Sequence, residues 1–117
     1  MVVQQIVRIY HLGRNATSVS DFYYRGYDFD KEKGNGLRIF AKGMIKSGEI
    51  KERTVSLDEN GEKLVTITIF RDVEAYKKWK NSDVLAKAME DWGDRDWFMD
   101  EEVINCIEHI SLTEELG

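Results

Sequence analysis

The chain has 117 residues, 22 acidic against 17 basic for a formal net charge of −5, no proline and one cysteine. That size suits one domain and buries roughly 65% of the surface of the unfolded chain, so neither a metal nor a disulfide is required to hold it together. The negative balance opposes binding to nucleic acid and to anionic membrane surfaces, and no run approaches the ~18 apolar residues of a membrane span. The opening MVVQQIVRIYHL lacks the charged start and cleavage site of a secretory signal, which predicts a cytoplasmic protein. Cys106, inside an apolar alternating run, reads as a packed, reduced thiol.

No linker or repeat divides the sequence, so residues 1–117 are read as a single unit. Residues 2–12 place Val3, Val7 and Ile9 on one parity and Val2, Ile6, Tyr10 and Leu12 on the other, a strand with apolar side chains on both faces. Ser18 or Ser20 is a plausible cap for a short helix, followed by an irregular, glycine-broken segment through Gly36. Leu37, Phe40, Ala41, Met44 and Ile45 recur at helical spacing, with Gly48 as a stop.

Asn60-Gly61 separates two β-rich runs and predicts a hairpin. Its second arm, residues 64–70, alternates Val65, Ile67 and Ile69 with Leu64, Thr66, Thr68 and Phe70. Asp72 caps the next helix, in which Tyr76 and Trp79 share a face. Asn81 or Ser82 restarts it, with Val84, Leu85, Ala88, Met89 and Trp92 along one side. The acidic stretch DRDWFMDEE reads as a connection and VINCIEHISL as the last strand.

The resulting order, β-α-β-β-α-β, is that of the α+β ferredoxin-like fold: an antiparallel four-stranded sheet with helices on one face. Its other face would carry a bare layer of Val, Ile and Leu, more than a soluble monomer usually exposes. A homodimer that packs sheet against sheet removes that layer. Burying ~600 Å² of apolar area at ~25 cal/mol/Å² gives about 15 kcal/mol before association costs are subtracted.

The element order, and the run ITIFRDVEAYKKWKNSDVLAKAM with Trp79, Ser82-Asp83-Val84 and Ala88, resemble the dimeric α+β barrel proteins of the antibiotic-biosynthesis monooxygenase superfamily. Within that superfamily the run is most similar to the small heme-degrading monooxygenases. The resemblance implies a ligand between helices and sheet. It also implies three catalytic positions, each of which departs from the pattern: the iron-binding histidine falls at Met89, an asparagine at Val7 and a tryptophan at Phe70. The expectation is therefore no heme and no other cofactor.

A cleft lined by Val7, Phe70, Trp79 and Met89 remains, with His11 at its mouth as a potential base and Tyr23 among the aromatic residues near it. The same side chains suit ordinary core packing. The sequence shows no zinc spacing, dinucleotide fingerprint or nucleophile motif. The reading is a homodimer that binds a small apolar or aromatic molecule. The alternatives are a cofactor-independent oxygenase of an aromatic substrate and a protein-interaction module.

Overall fold

A computed structural model describes residues 2–12, 17–19, 37–94 and 98–110. Strand β1 runs over Val3–His11, helix α1 over Leu37–Lys46, β2 over Ile50–Leu57 and β3 over Lys63–Phe70. Helices α2, Val73–Lys80, and α3, Asp83–Asp94, precede β4, Phe98–Cys106. The expected short helix after Ser18 or Ser20 and the glycine-broken segment through Gly36 fall wholly or largely outside the described residues.

The strands form one sheet in the order β2-β3-β1-β4, with every neighbouring pair antiparallel. The α+β ferredoxin-like architecture expected from the sequence is present. Register assigns the faces: Ile6 opposes Thr68 and Val103, Arg8 opposes Thr66 and Glu101, and Tyr10 opposes Leu64 and Met99. This parity of β1 packs with the helices, where Ile6, Tyr10, Leu37, Met44, Phe70, Trp79 and Leu85 belong to one core.

Local chemistry sets the boundaries. In α1, Leu37, Ala41 and Met44 are buried as their spacing predicts, whereas Ile45 is about half exposed (46%) because it lies at the outer edge of the apolar stripe. Gly48 follows with φ +81°, a conformation that β-carbons disfavour. Asp72 caps α2 by accepting a hydrogen bond from Ala75 N–H at 2.8 Å. Ser82 restarts the chain as α3 through its hydroxyl oxygen, which accepts from Leu85 N–H at 3.2 Å.

The hairpin forms around Gly61, φ 70°. Its loop is longer than a two-residue turn, because Asp58 gathers it: one carboxylate oxygen accepts from the backbone N–H groups of Glu62 and Lys63 at 2.8 and 3.0 Å. Those same bonds hold the Asp58 carboxyl below its ordinary pKa, Lys63 contributing most.

The last strand begins five residues before its expected start. Phe98–Cys106 includes much of the acidic stretch read as a connection. Charge is tolerated there because β4 is an edge strand, because Asp100 and Glu102 point to the more exposed face, and because Glu101 has a partner inside. Residues 107–110, expected to continue the strand, instead leave the edge. His109 reaches Glu52 on the opposite edge strand, Nε2 to Oε2 3.1 Å, and at that end of the sheet Val3 and Ile69 are buried. The rest of this open face, including Val7, Ile9, Val65 and Ile67, is only half-buried.

Candidate functional site

Strand alternation divides the expected site residues between two surfaces. Val7 opposes Ile67 and Glu102, and His11 opposes Lys63 and Phe98, so both belong to the open face rather than to the space under the helices. A side-chain period of two allows no other outcome once Ile6 and Tyr10 face the core. His11 is engaged by Asp100, Nε2 to Oδ2 2.8 Å. Tyr23 lies outside the described residues.

Phe70 and Trp79 do meet. Their ring centroids are 6.2 Å apart, Tyr76 packs edge-on against Phe70 at 5.6 Å, and Phe40 tilts against Trp79 at 5.9 Å. These rings form one aromatic wall between helices and sheet. Met89, in contrast, is 46% exposed on α3. No histidine occurs in α3, so that helix offers heme iron only a half-exposed thioether. Among the described residues no three His, Cys, Asp or Glu side chains are grouped to hold a metal.

The chemistry on the helix side of the sheet lies in residues that the apolar pattern does not announce. Gln4, Arg8, Thr66 and Thr68 are all buried, and by register Arg8 neighbours Thr66 and Glu101. Gln4 is bonded to Asn105 across the strands. Arg8 Nε donates to Glu101 Oε2 at 2.7 Å, with 5% and 17% of the two side chains exposed. Tyr76 donates its phenolic proton to Glu101 Oε1 at 2.9 Å, and Lys80 Nζ stands 3.6 Å from the same oxygen. Arg53, on β2, lies over the Trp79 ring at 5.2 Å.

The electrostatics follow from this arrangement. Burial favours the neutral acid of Glu101, but the Arg8 charge, hydrogen bonds from Tyr76 and Arg8, and Lys80 together hold its carboxyl below the usual value. Burial pushes the Tyr76 phenol up, and its bond to Glu101 adds to that. Lys80 is raised by Tyr76, on whose ring it sits at 5.5 Å, and by Glu101. At neutral pH the cluster is thus an ionised carboxylate between two cations, with a neutral phenol as donor.

One signal of this cluster was available in the sequence: Arg8 shares the parity of Ile6 and Tyr10. Its partner is 93 residues away, within a stretch whose charge imitates a loop. Tyr76 was placed correctly beside Trp79, but nothing local says that its hydroxyl meets a carboxylate.

No sequence-family profile matches the chain, and no curated protein matches it in sequence. Solved structures do match in shape. SnoaB, a cofactor-independent oxygenase from Streptomyces nogalater, superposes with a TM-score of 0.57 at 9% identity, covering 97% of this chain and 99% of that one. A Deinococcus radiodurans protein assigned to the antibiotic biosynthesis monooxygenases gives 0.58 at 12%, over 95% and 97%. The chain has the ferredoxin-like fold of the antibiotic-biosynthesis monooxygenase proteins. Rv0793 from Mycobacterium tuberculosis, at 0.54 and 15% identity, covers 95% of this chain and 100% of that one.

At these identities the likeness concerns the monooxygenase-like fold alone. Within that fold, this chain presents an aromatic wall beside a buried Arg8–Glu101–Tyr76 cluster. No helix among the described residues is long and apolar enough to cross a membrane.

Proposed function

We propose that the chain binds a small aromatic molecule between its helices and its sheet, as a homodimer joined through the open sheet face. One observation carries the reading: the aromatic side chains of Phe70, Tyr76 and Trp79 share the interior with a buried charged cluster. A core that only had to pack would be simpler with apolar residues, because buried charge rarely adds net stability over hydrophobic side chains of equal volume. Aromatic surface with a few placed polar groups is the usual composition of a small-molecule site. Of the expected ligand-binding residues, Phe70 and Trp79 stay in this proposal.

The dimer rests on Val7, Ile9, Val65 and Ile67, half-buried on the open face of a single chain and apolar enough to favour a second copy. A native mass spectrum of protein purified without added ligand tests both parts. A dimer with discrete extra mass supports them, and a stable monomer refutes the sheet-to-sheet association.

A second reading is favoured by the likeness to SnoaB, whose description is that of a cofactor-independent oxygenase. An indole and a phenol hydrogen-bonded to a carboxylate line the same interior here, groups able to hold an aromatic substrate and manage its proton. Oxygen uptake with a polyphenol added to the purified protein distinguishes this reading. Uptake at the rate of the polyphenol alone would leave only binding.

A further inference from the structure

We infer that Arg8 is the residue that selects the molecule bound in this interior, and that through Nη1 it selects an uncharged carbonyl oxygen. This role rests on the reading of the interior as an aromatic ligand site, and adds to it the group that recognises the ligand and the atom that is recognised. Arg8 is 4% exposed, yet its Nη1 is buried without a hydrogen-bond partner. A guanidinium carries five N–H donors, and buried donors are paired in nearly all proteins. The exception calls for an acceptor that arrives from outside the chain.

Glu101 does not supply it. Its Oε2 is taken by Arg8 Nε and its Oε1 by Tyr76. Nη1 lies on the Cδ side of the guanidinium, away from the Nε edge that meets the carboxylate. The place for the acceptor is beside the rings. Arg8 and Tyr76 bond the two oxygens of the same carboxylate, and the Tyr76 ring packs edge-on against Phe70 at 5.6 Å, so the guanidinium stands next to the aromatic wall.

Charge balance makes that oxygen neutral. Arg8 Nε meets Glu101 Oε2 at 2.7 Å, with 5% and 17% of the two side chains exposed, so the guanidinium already has its counter-ion. A ligand carboxylate would add a second anion to a neutral pair, and a buried anion without a cation of its own is costly. Lys80 compensates little, because its side chain is 56% exposed and solvent screens it. The pair lacks an acceptor and not a charge.

Hydrogen-bond accounting narrows the oxygen to a carbonyl. A ligand hydroxyl brings a proton that must itself be accepted, and both oxygens of Glu101 are already engaged. A carbonyl only accepts. Thr66, directly opposite Arg8 on β3, is buried on the same face, and its hydroxyl offers a second donor to the same oxygen. The ligand class is an uncharged aromatic carbonyl compound.

The test compares three naphthalenes that differ in one substituent, by calorimetric titration of the intact protein: 2-acetylnaphthalene, 2-ethylnaphthalene, which lacks the oxygen, and 2-naphthoate, which adds the charge. The ketone is expected to bind at least about tenfold more tightly than naphthoate, and no more weakly than the less polar hydrocarbon. The infrared carbonyl stretch of the bound ketone should lie below its position in an apolar solvent. In the double variant Arg8→Met with Glu101→Leu, the ketone-to-hydrocarbon affinity ratio should fall at least about tenfold and the stretch should return to its apolar-solvent position. Naphthoate binding as tightly as the ketone overturns the uncharged assignment. An unchanged ratio in the double variant, or a wild-type stretch at the apolar-solvent position, overturns the role of Arg8 and leaves the aromatic site standing. If the double variant does not fold, the wild-type affinities and stretch still decide whether this interior holds a hydrogen-bonded, uncharged carbonyl. Failure of all three probes to bind overturns both the selection by Arg8 and the reading beneath it.

Discussion

Replacing Glu101 with glutamine tests the interior cluster at its centre. The substitution keeps one oxygen able to accept from Arg8 Nε, places an amide N–H2 against the Tyr76 hydroxyl, and removes the charge that compensates Arg8, whose side chain is 5% exposed. Removing one partner of a buried ion pair costs about 3–5 kcal/mol, and the retained acceptor together with the partial exposure of Glu101 places this case near ~3 kcal/mol. Urea unfolding followed by tryptophan fluorescence, at one fixed chain concentration, should show the midpoint falling by about 2 M for a slope of about 1.5 kcal/mol/M, with the slope unchanged. Arg8→Met combined with Glu101→Leu removes both charges and should lie within about 1 kcal/mol of the wild type, because paired removal is close to neutral. The pH dependence has a definite sign. Glu101 titrates below its reference value of 4.5 in the folded chain, so its contribution is complete above that value and disappears as the pH falls through the lowered pKa. The gap between wild type and E101Q should therefore close in acid. A loss under about 1 kcal/mol in E101Q, or a double variant as unstable as the single one, would refute the dependence of Arg8 on Glu101.

Asp72→Ala should cost about 1 kcal/mol by removing the α2 cap, measured by the same denaturation. The Asp72 carboxyl is held below 3.8, chiefly by the Ala75 N–H, so this contribution too should be lost as the pH falls through that lowered pKa. Gly61→Ala forces a β-carbon onto a residue at φ 70° and should cost about 1–2 kcal/mol, with unchanged far-UV circular dichroism. Ile67→Lys, on the open face, should convert the proposed dimer to a monomer in sedimentation at native helix content. A charged dimer of unaltered mass would show that some other surface joins the copies.

Features encoded by neighbouring residues were legible in the sequence. Asn60-Gly61 announced the hairpin and Asp72 announced α2, because a turn or a cap is a contract among residues within one another's reach. The α+β order followed from those signals. Face assignment did not, because β1 is apolar on both parities and nothing in it states which one meets the helices, so the pattern points to Val7 in the cleft and His11 at its mouth and passes over Arg8. The displaced start of β4 has a related cause. Asp100, Glu101 and Glu102 look like a solvated connection until Glu101 is seen opposite Arg8. A pair whose members are 93 residues apart leaves no local trace.

The central position of β1 also orders events at the ribosome. Its two ladder partners are residues 63–70 and 98–106, so the strand made first is the one completed last. A chain that closes β1 onto β3 before β4 docks would carry Arg8 toward an apolar layer before Glu101 stands opposite it. Closing so long a loop is slow and the early product is electrostatically incomplete. Glu101 removes that penalty only once β4 stands beside β1, so the acidic edge strand completes the electrostatics at the centre of the sheet.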